Sequence, residues 1–455
     1  MLIGFSAENY RSFKDELVIS FLASNYYKEN LDTLLAGNIP GLSEAKILPV
    51  TAIYGPNASG KSTVLAAVRE MRAAVLSLRN LSGNPQASYS PFLLDGESAA
   101  RPTTFSIEFC TERQVEGEEN AKLVRYEYSF SYSDKGIVSE NLRAYFSKMP
   151  RKLFSRTIDD SGNTVIEGST TFPIANEIKP LIGSHMLVLS FFSQADKSAV
   201  GAEASVVTDW FRDQLAIIDR SPNADPMQMF SGEILDGVQG TDYQRALIRR
   251  IMSRADTGLA SVDVERLSFS EEDLFGVARK MFAPEMVEAL RNQPLKRVSF
   301  EHQGKSGAME VPEESSGTMQ LFALSGYVAQ ALERGGVLMA DEIDASLHPD
   351  LANEVVSLFL DKSTNRHNAQ LVFTAHNPCL MNNPRMRRDE FWIAEKNEAG
   401  ASRLYPISDF KAKKGESIQA AYLQGRYEGL PIIPACFGMC GSGSEETGEL
   451  SGQTQ

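Results

Sequence analysis

Gly55-Pro56-Asn57-Ala58-Ser59-Gly60-Lys61-Ser62 is the stretch on which the fold turns. It fits Gly-x-x-x-x-Gly-Lys-Ser/Thr, the P-loop, whose glycines let successive backbone N–H groups face inward around phosphate oxygens. Upstream, Ile47 to Tyr54 reads as an apolar strand; downstream, Ser62 to Leu78 sets Leu65, Val68, Val75 and Leu78 at helical spacing. A strand, a glycine turn and a helix also bring the positive end of a helix to the same phosphates. Gly55, Asn57, Ala58, Ser59 and Gly60 are therefore expected to form the cradle, and Lys61 to bridge the β- and γ-phosphates. Ser62 is expected to ligate Mg²⁺, and Thr63 to meet the α-phosphate. A chance glycine-rich turn is the plain alternative, and the flanking strand and helix weigh against it.

Gly336-Val337-Leu338-Met339-Ala340-Asp341-Glu342 is an apolar strand ending in two carboxylates, the Walker B arrangement. Such a strand beside the cradle would hold Asp341 in the Mg²⁺ shell and place Glu342 to polarise the attacking water. Acids capping an apolar strand are common at sheet ends, so this reading draws its force from the P-loop. About 280 residues separate Lys61 from Asp341, a spacing too long for a small GTPase or kinase and roomy enough for an inserted lobe.

Glu314-Ser315-Ser316-Gly317-Thr318 precedes a helix expected over Met319 to Arg334. A serine, a glycine and a helix N-terminus make an anion site. Ser315 and Gly317 are expected to clamp the γ-phosphate held by a second copy of the chain. Ile343-Asp344-Ala345-Ser346-Leu347-His348-Pro349 follows the two acids as a loop, and His376 in Phe373-Thr374-Ala375-His376-Asn377 follows the next strand, where it would sense the γ-phosphate. Each element is weak alone; their order and spacing make the joint reading.

The chain has 42% hydrophobic, 23% charged and 9% aromatic residues among 455, the composition of an ordinary globular protein. Its formal net charge of −14 argues against a surface built to coat nucleic acid and leaves room only for a local basic groove. Arg385-Met386-Arg387-Arg388 is the one such stretch, and a solvated helix end is its plain reading. Cys110, Cys379, Cys436 and Cys440 are too few and scattered for a disulfide framework, so a cytoplasmic location is expected, without membrane association.

Period-two stretches between Pro102 and Tyr145 predict an antiparallel meander. Helical periodicity is found at 204–220, 241–254 and 278–292, and strand character at Ser261 to Phe269 and Lys296 to Gln303. The expected organisation is α/β: residues 1–150 as an ATPase lobe with the P-loop and the antiparallel sheet, 151–310 as an inserted, mainly helical lobe, and 311–435 as the lobe of the remaining motifs. Residues 436–455 are expected to be a disordered tail. No long coiled coil is expected.

Asn9-Tyr10-Arg11-Ser12-Phe13, the P-loop, Glu314 to Thr318, Met339 to Pro349 and Phe373 to Asn377 together resemble the RecF/SMC/OLD branch of ABC-type ATPases. Within it the chain most resembles the stand-alone AAA-family ATP-binding proteins typified by RloA and AbiLi, and Tyr422 to Pro431 is similar to that group as well. The resemblance implies an ABC-type ATPase head and a slow ATPase that uses ATP and Mg²⁺ as a switch or scaffold. It implies an ATP-sandwiched dimer or higher homo-oligomer that controls a separately encoded, nuclease-like effector in antiphage defence by abortive infection. It also brings Arg11 and Ser12 to the nucleotide. The other reading is a RecF-like ATP-dependent DNA-binding protein of repair. The region after His376 has no acids at metal-ligand spacing, so no nuclease activity is expected of this chain. Gln86 and Gln194 are the candidates for a Q-loop glutamine.

Overall fold

The computed structural model describes residues 1–35, 37–42, 44–77, 89–114, 120–195, 201–218, 225–236, 240–254, 259–266, 296–302, 308–310, 314–411 and 416–430. Two large sheets dominate, and their burial patterns differ as their surroundings require. In the first, β1 (Leu2–Glu8), β2 (Leu17–Ser20), β4 (Thr103–Arg113), β5 (Lys122–Ser133), β6 (Gly136–Tyr145), β7 (Arg151–Ile158) and β8 (Thr164–Gly168) pair antiparallel in the order β2-β1-β4-β5-β6-β7-β8. Its strands alternate buried and half-exposed positions, the mark of a sheet with one covered face. In the second, β3 (Val50–Tyr54), β9 (Leu215–Ile218), β13 (Val337–Ala340), β14 (Gln370–Thr374), β15 (Phe391–Lys396) and β16 (Ser402–Pro406) lie in the order β16-β15-β3-β14-β13-β9. All are parallel except β16. β3, β13 and β14 are buried at every position, because both faces of this sheet are covered.

The α-helices among the described residues are α1 (Lys61–Leu76), α2 (Val188–Ser193), α3 (Ala202–Asp209), α4 (Asp225–Leu235), α5 (Asp242–Arg254), α6 (Ser316–Arg334), α7 (Pro349–Leu360) and α8 (Ile418–Leu423). One core joins Val64, Leu65, Val68, Met71 and Val75 of α1 to the antiparallel sheet and to Ile53, Met339 and Val372 on one face of the parallel sheet. The other core joins Ala52, Leu338, Leu371 and Phe373 on the opposite face to α5, α6 and α7. Successive residues of each parallel strand thus feed two cores, and α1 is clamped between the sheets. A small sheet of β10 (Leu259–Arg266), β11 (Lys296–His302) and β12 (Ala308–Glu310) completes the fold. Among the described residues no helix is long and apolar enough to cross a membrane.

Several expectations are corrected. The helix expected over 204–220 ends in one wide turn at Trp210–Gln214, and Leu215–Ile218 is a strand paired with β13; a short apolar run does not reveal its own period. The boundary expected at residue 150 falls inside a hydrogen-bonded sheet, since β7 pairs with β6. Among the described residues, the segment 151–310 contains strands as well as helices. Arg387 and Arg388 are not on a solvated helix end. The Arg387 guanidinium is fully buried, donating to the carbonyls of Ser24, Tyr27 and Glu29 and to Asp389, and Arg388 donates to the Tyr427 hydroxyl. The helix expected over 278–292 and the tail 436–455 lie outside the described residues.

Candidate functional site

β3 ends at Tyr54 and the chain turns through Gly55 (φ 142°), Ala58 (φ 61°) and Gly60 (φ 109°) before α1 begins at Lys61. Two of these positions need glycine. A Cβ on Gly55 would collide with the Ala394 carbonyl, and one on Gly60 would lie 2.7 Å from Ser402 Oγ. No side chain caps the α1 N-terminus and its first turn has no acid, so its free N–H groups and positive end face the loop. Asn57 and Ala58 stand exposed at the loop tip, whereas Ser59 is buried beneath it. This frame suits a chain of phosphates.

Lys61 is 5% exposed and folds back across the loop, donating to Gly55 O at 2.8 Å and Pro56 O at 3.0 Å. Burial pushes its ammonium below the ordinary lysine value, against the opposing pull of Glu342, Asp341 and Asp344. Ser62 Oγ donates to Asp341 Oδ1 at 3.1 Å. These are hard oxygen donors of the kind Mg²⁺ takes, side by side at the start of α1 and the end of β13. The residues present therefore fit such an ion, which Ser62 and Asp341 would hold.

Thr374, at the end of β14 between the P-loop strand and the Walker B strand, links the two acids. Its hydroxyl donates to Asp341 Oδ1 at 2.5 Å and accepts from Glu342 N at 2.7 Å. Sequence reading passed over it; a hydroxyl ending the strand before His376 was the available signal. Glu342 itself sits in the left-handed region at φ 49°, a strained conformation for a non-glycine residue. Its Oε1 lies 3.5 Å from His376 Nε2. Asp344 Oδ2 accepts from His376 N at 3.0 Å and Asn377 N at 2.6 Å, so the loop after Walker B fixes the loop bearing the histidine.

The turn Tyr10–Phe13 is brought to the P-loop from the other sheet. Ser12 Oγ is 3.5 Å from Thr63 Oγ1, Ser402 N donates to Ser12 O at 2.7 Å, and Phe13 packs beside Gly60. Arg11, at φ 50°, borders an open groove shared with Ser12, Tyr89, Phe92 and Lys396. The C-terminal stretch reaches the same place. The Tyr422 and Tyr54 ring centroids are 5.9 Å apart, and Gly429, at φ 66°, backs onto Ile393 beside Gly55.

Ser315 and Gly317 stand at a separate point. Ser315 caps α6, its Oγ accepting from Thr318 N at 3.1 Å, and Gly317 backs onto the loop after Walker B, where a Cβ would lie 2.7 Å from Ser346 O. Of the two glutamines, Gln194 donates to Leu76 O at the far end of α1 and so does not serve the phosphates. Gln86 lies outside the described residues.

No curated protein matches the chain. Among solved structures it is similar to an SMC head bound to the C-terminal winged-helix domain of ScpA, with 13% identity over 89% of this chain and 97% of that one and a TM-score of 0.46. It is also similar to the SMC head domain from Thermotoga maritima, with 14% identity over 89% and 98% and a TM-score of 0.37. A third is an SMC head with an extended coiled coil bound to the C-terminal domain of ScpA derived from Pyrococcus furiosus, with 12% identity over 90% and 97% and a TM-score of 0.42. Residues 50–382 match the family described as "AAA domain, putative AbiEii toxin, Type IV TA system", and the chain belongs to that family of nucleotide-dependent ATPases.

Proposed function

We propose that the chain hydrolyses ATP slowly, between two copies of itself, and uses the nucleotide state to control a separately encoded toxic effector in antiphage defence. The observation that carries the ATPase part is the convergence on one P-loop of Lys61, the Ser62–Asp341–Thr374 oxygens and the Glu342–His376 pair. In this reading Lys61 leaves the Gly55 and Pro56 carbonyls for the phosphate oxygens. Ser62 and Asp341 would hold Mg²⁺, which would supply positive charge to offset the charge that develops on the transferring phosphoryl group. Thr374 keeps Asp341 turned toward Ser62. Glu342 takes the proton of the water that attacks the γ-phosphorus in line, as the bond to the bridging oxygen breaks. His376, aligned through Asp344, meets the γ-phosphate, and Arg11 with Ser12 borders the rest of the nucleotide.

The first turn of α6 carries no acidic residue, and in this reading Ser315 and the α6 N-terminus complete the site of a second copy. Lys61→Ala and Ser315→Arg chains should each retain less than about a tenth of the native ATPase rate, and an equal mixture should recover about a quarter of it. That fraction follows because half the dimers are mixed and each mixed dimer has one sound site. Phosphate release from the separate and mixed proteins, with sedimentation, checks this. Full native turnover by Ser315→Arg would remove the composite site.

The family's description names a toxin of a toxin–antitoxin system, which supports a role in a two-component defence. Co-purification with the product of the adjacent reading frame, and phage protection that needs both genes, is the expected result. Protection by this chain alone, or ATP-dependent binding to DNA ends with no protection, would favour DNA repair instead.

A further inference from the structure

The Glu314 carboxylate precedes the α6 cap Ser315 by one residue, and its side chain is only 4% exposed. A carboxylate at this position is itself an anion suited to a helix N-terminus, able to turn onto the first N–H groups of α6. It is held elsewhere. Glu314 Oε1 lies 2.5 Å from Nε2 of His302, whose own side chain is 16% exposed.

His302 ends β11, and that strand is fastened to α6 at a second point. Phe300 packs edge-on against Phe322 at 5.6 Å between ring centroids. The neighbouring α4 is fastened to the same helix, since Ser231 Oγ donates to Ala323 O and accepts from Gly326 N, both at 3.1 Å. The small sheet is thus packed on α6, and the orientation of Glu314 depends on β11 staying in place.

We propose that His302 is a positioning residue for ATP hydrolysis: by tying off Glu314 it keeps the α6 N-terminus open to the phosphate of a second copy's nucleotide, and releasing it lets Glu314 block that site. This rests on the reading that α6 meets that phosphate. It also gives the lobe carrying β11 a direct means of switching the ATPase, because any partner that pulls β11 away frees the blocking carboxylate.

The test is steady-state ATPase kinetics on the full chain for His302→Ala, Glu314→Gln and the double variant, with Ser315→Arg as reference. His302→Ala should lower kcat about tenfold or more with KM for ATP within about twofold, because its own P-loop is untouched. Glu314→Gln should stay within about threefold of native. The double variant should return to that level, since a neutral amide does not compete for the helix N-terminus as a carboxylate does. Rescue separates this role from a merely structural one, in which the double variant would be as impaired as His302→Ala or worse. That outcome, or a native rate for His302→Ala, overturns the proposal while leaving the composite site standing if Ser315→Arg is inactive. A native rate for Ser315→Arg removes the composite site and this proposal with it. Thermal melts of all four proteins show whether each is folded.

Discussion

Lys61→Ala is expected to weaken ATP binding by about a hundredfold or more without unfolding the chain. Two charge-assisted hydrogen bonds to phosphate oxygens contribute roughly 3–4 kcal/mol, or two to three orders of magnitude in Kd. Lys61 is suited to give them, because its ammonium is already held over the loop by the Gly55 and Pro56 carbonyls. The same burial opposes its charge in the free protein. Removing it therefore also removes a desolvation cost, and the variant should melt within a few degrees of the native chain, a shift of about 1 kcal/mol or less. Thermal melts with and without ATP read both quantities together. Saturating ATP should raise the melting temperature of the native chain and leave that of the variant unmoved. An undiminished ATP-dependent shift in the variant would displace the P-loop from the nucleotide site.

Glu342→Gln should do the reverse, keeping ATP and losing turnover. Loss of a general base costs about 10²–10⁴-fold in rate, so phosphate release should fall about a thousandfold while Kd for ATP stays within a few-fold. The amide is isosteric with the carboxyl and preserves the backbone bond from residue 342 to Thr374 Oγ1, so Mg²⁺ holding by Ser62 and Asp341 should survive. With hydrolysis stopped, ATP-bound oligomers should persist long enough to sediment as such. A native rate of phosphate release would place the base elsewhere, and the Glu342–His376 contact at 3.5 Å would then need another explanation.

Much of the site was legible because its pieces are contiguous in the chain. Gly55 to Ser62 is one turn whose glycine spacing is readable in the sequence, although the Ala394 carbonyl and Ser402 hydroxyl that leave no room for a Cβ at Gly55 and Gly60 come from β15 and β16. The Walker B strand is equally local, an apolar run ended by acids. Strand period separated the two sheets as well: alternation marked β4 and β5, and mainly apolar runs without alternation marked β3, β13 and β14. Where the run was four residues long, as in Leu215–Ile218, helix and strand were indistinguishable until β13 lay beside it.

The sequence by itself determined the strand–turn–helix frame of the P-loop, the order of the motifs and the α/β class, since each depends on neighbours in the chain and on their periodicity. The tertiary structure decided which distant groups meet. Thr374 joins Asp341 to Glu342 only because β14 lies between the P-loop strand and the Walker B strand. Tyr10–Phe13 and Gly429 reach the P-loop from opposite ends of the chain, and Glu314 is turned aside by His302 of another sheet. Arg387 shows the limit most clearly. A run of arginines near residue 386 reads as solvated, yet this one is buried because the carbonyls of Ser24, Tyr27 and Glu29, some 360 residues away, need a donor. Burial and hydrogen-bond satisfaction are properties of the packed chain, and composition does not carry them.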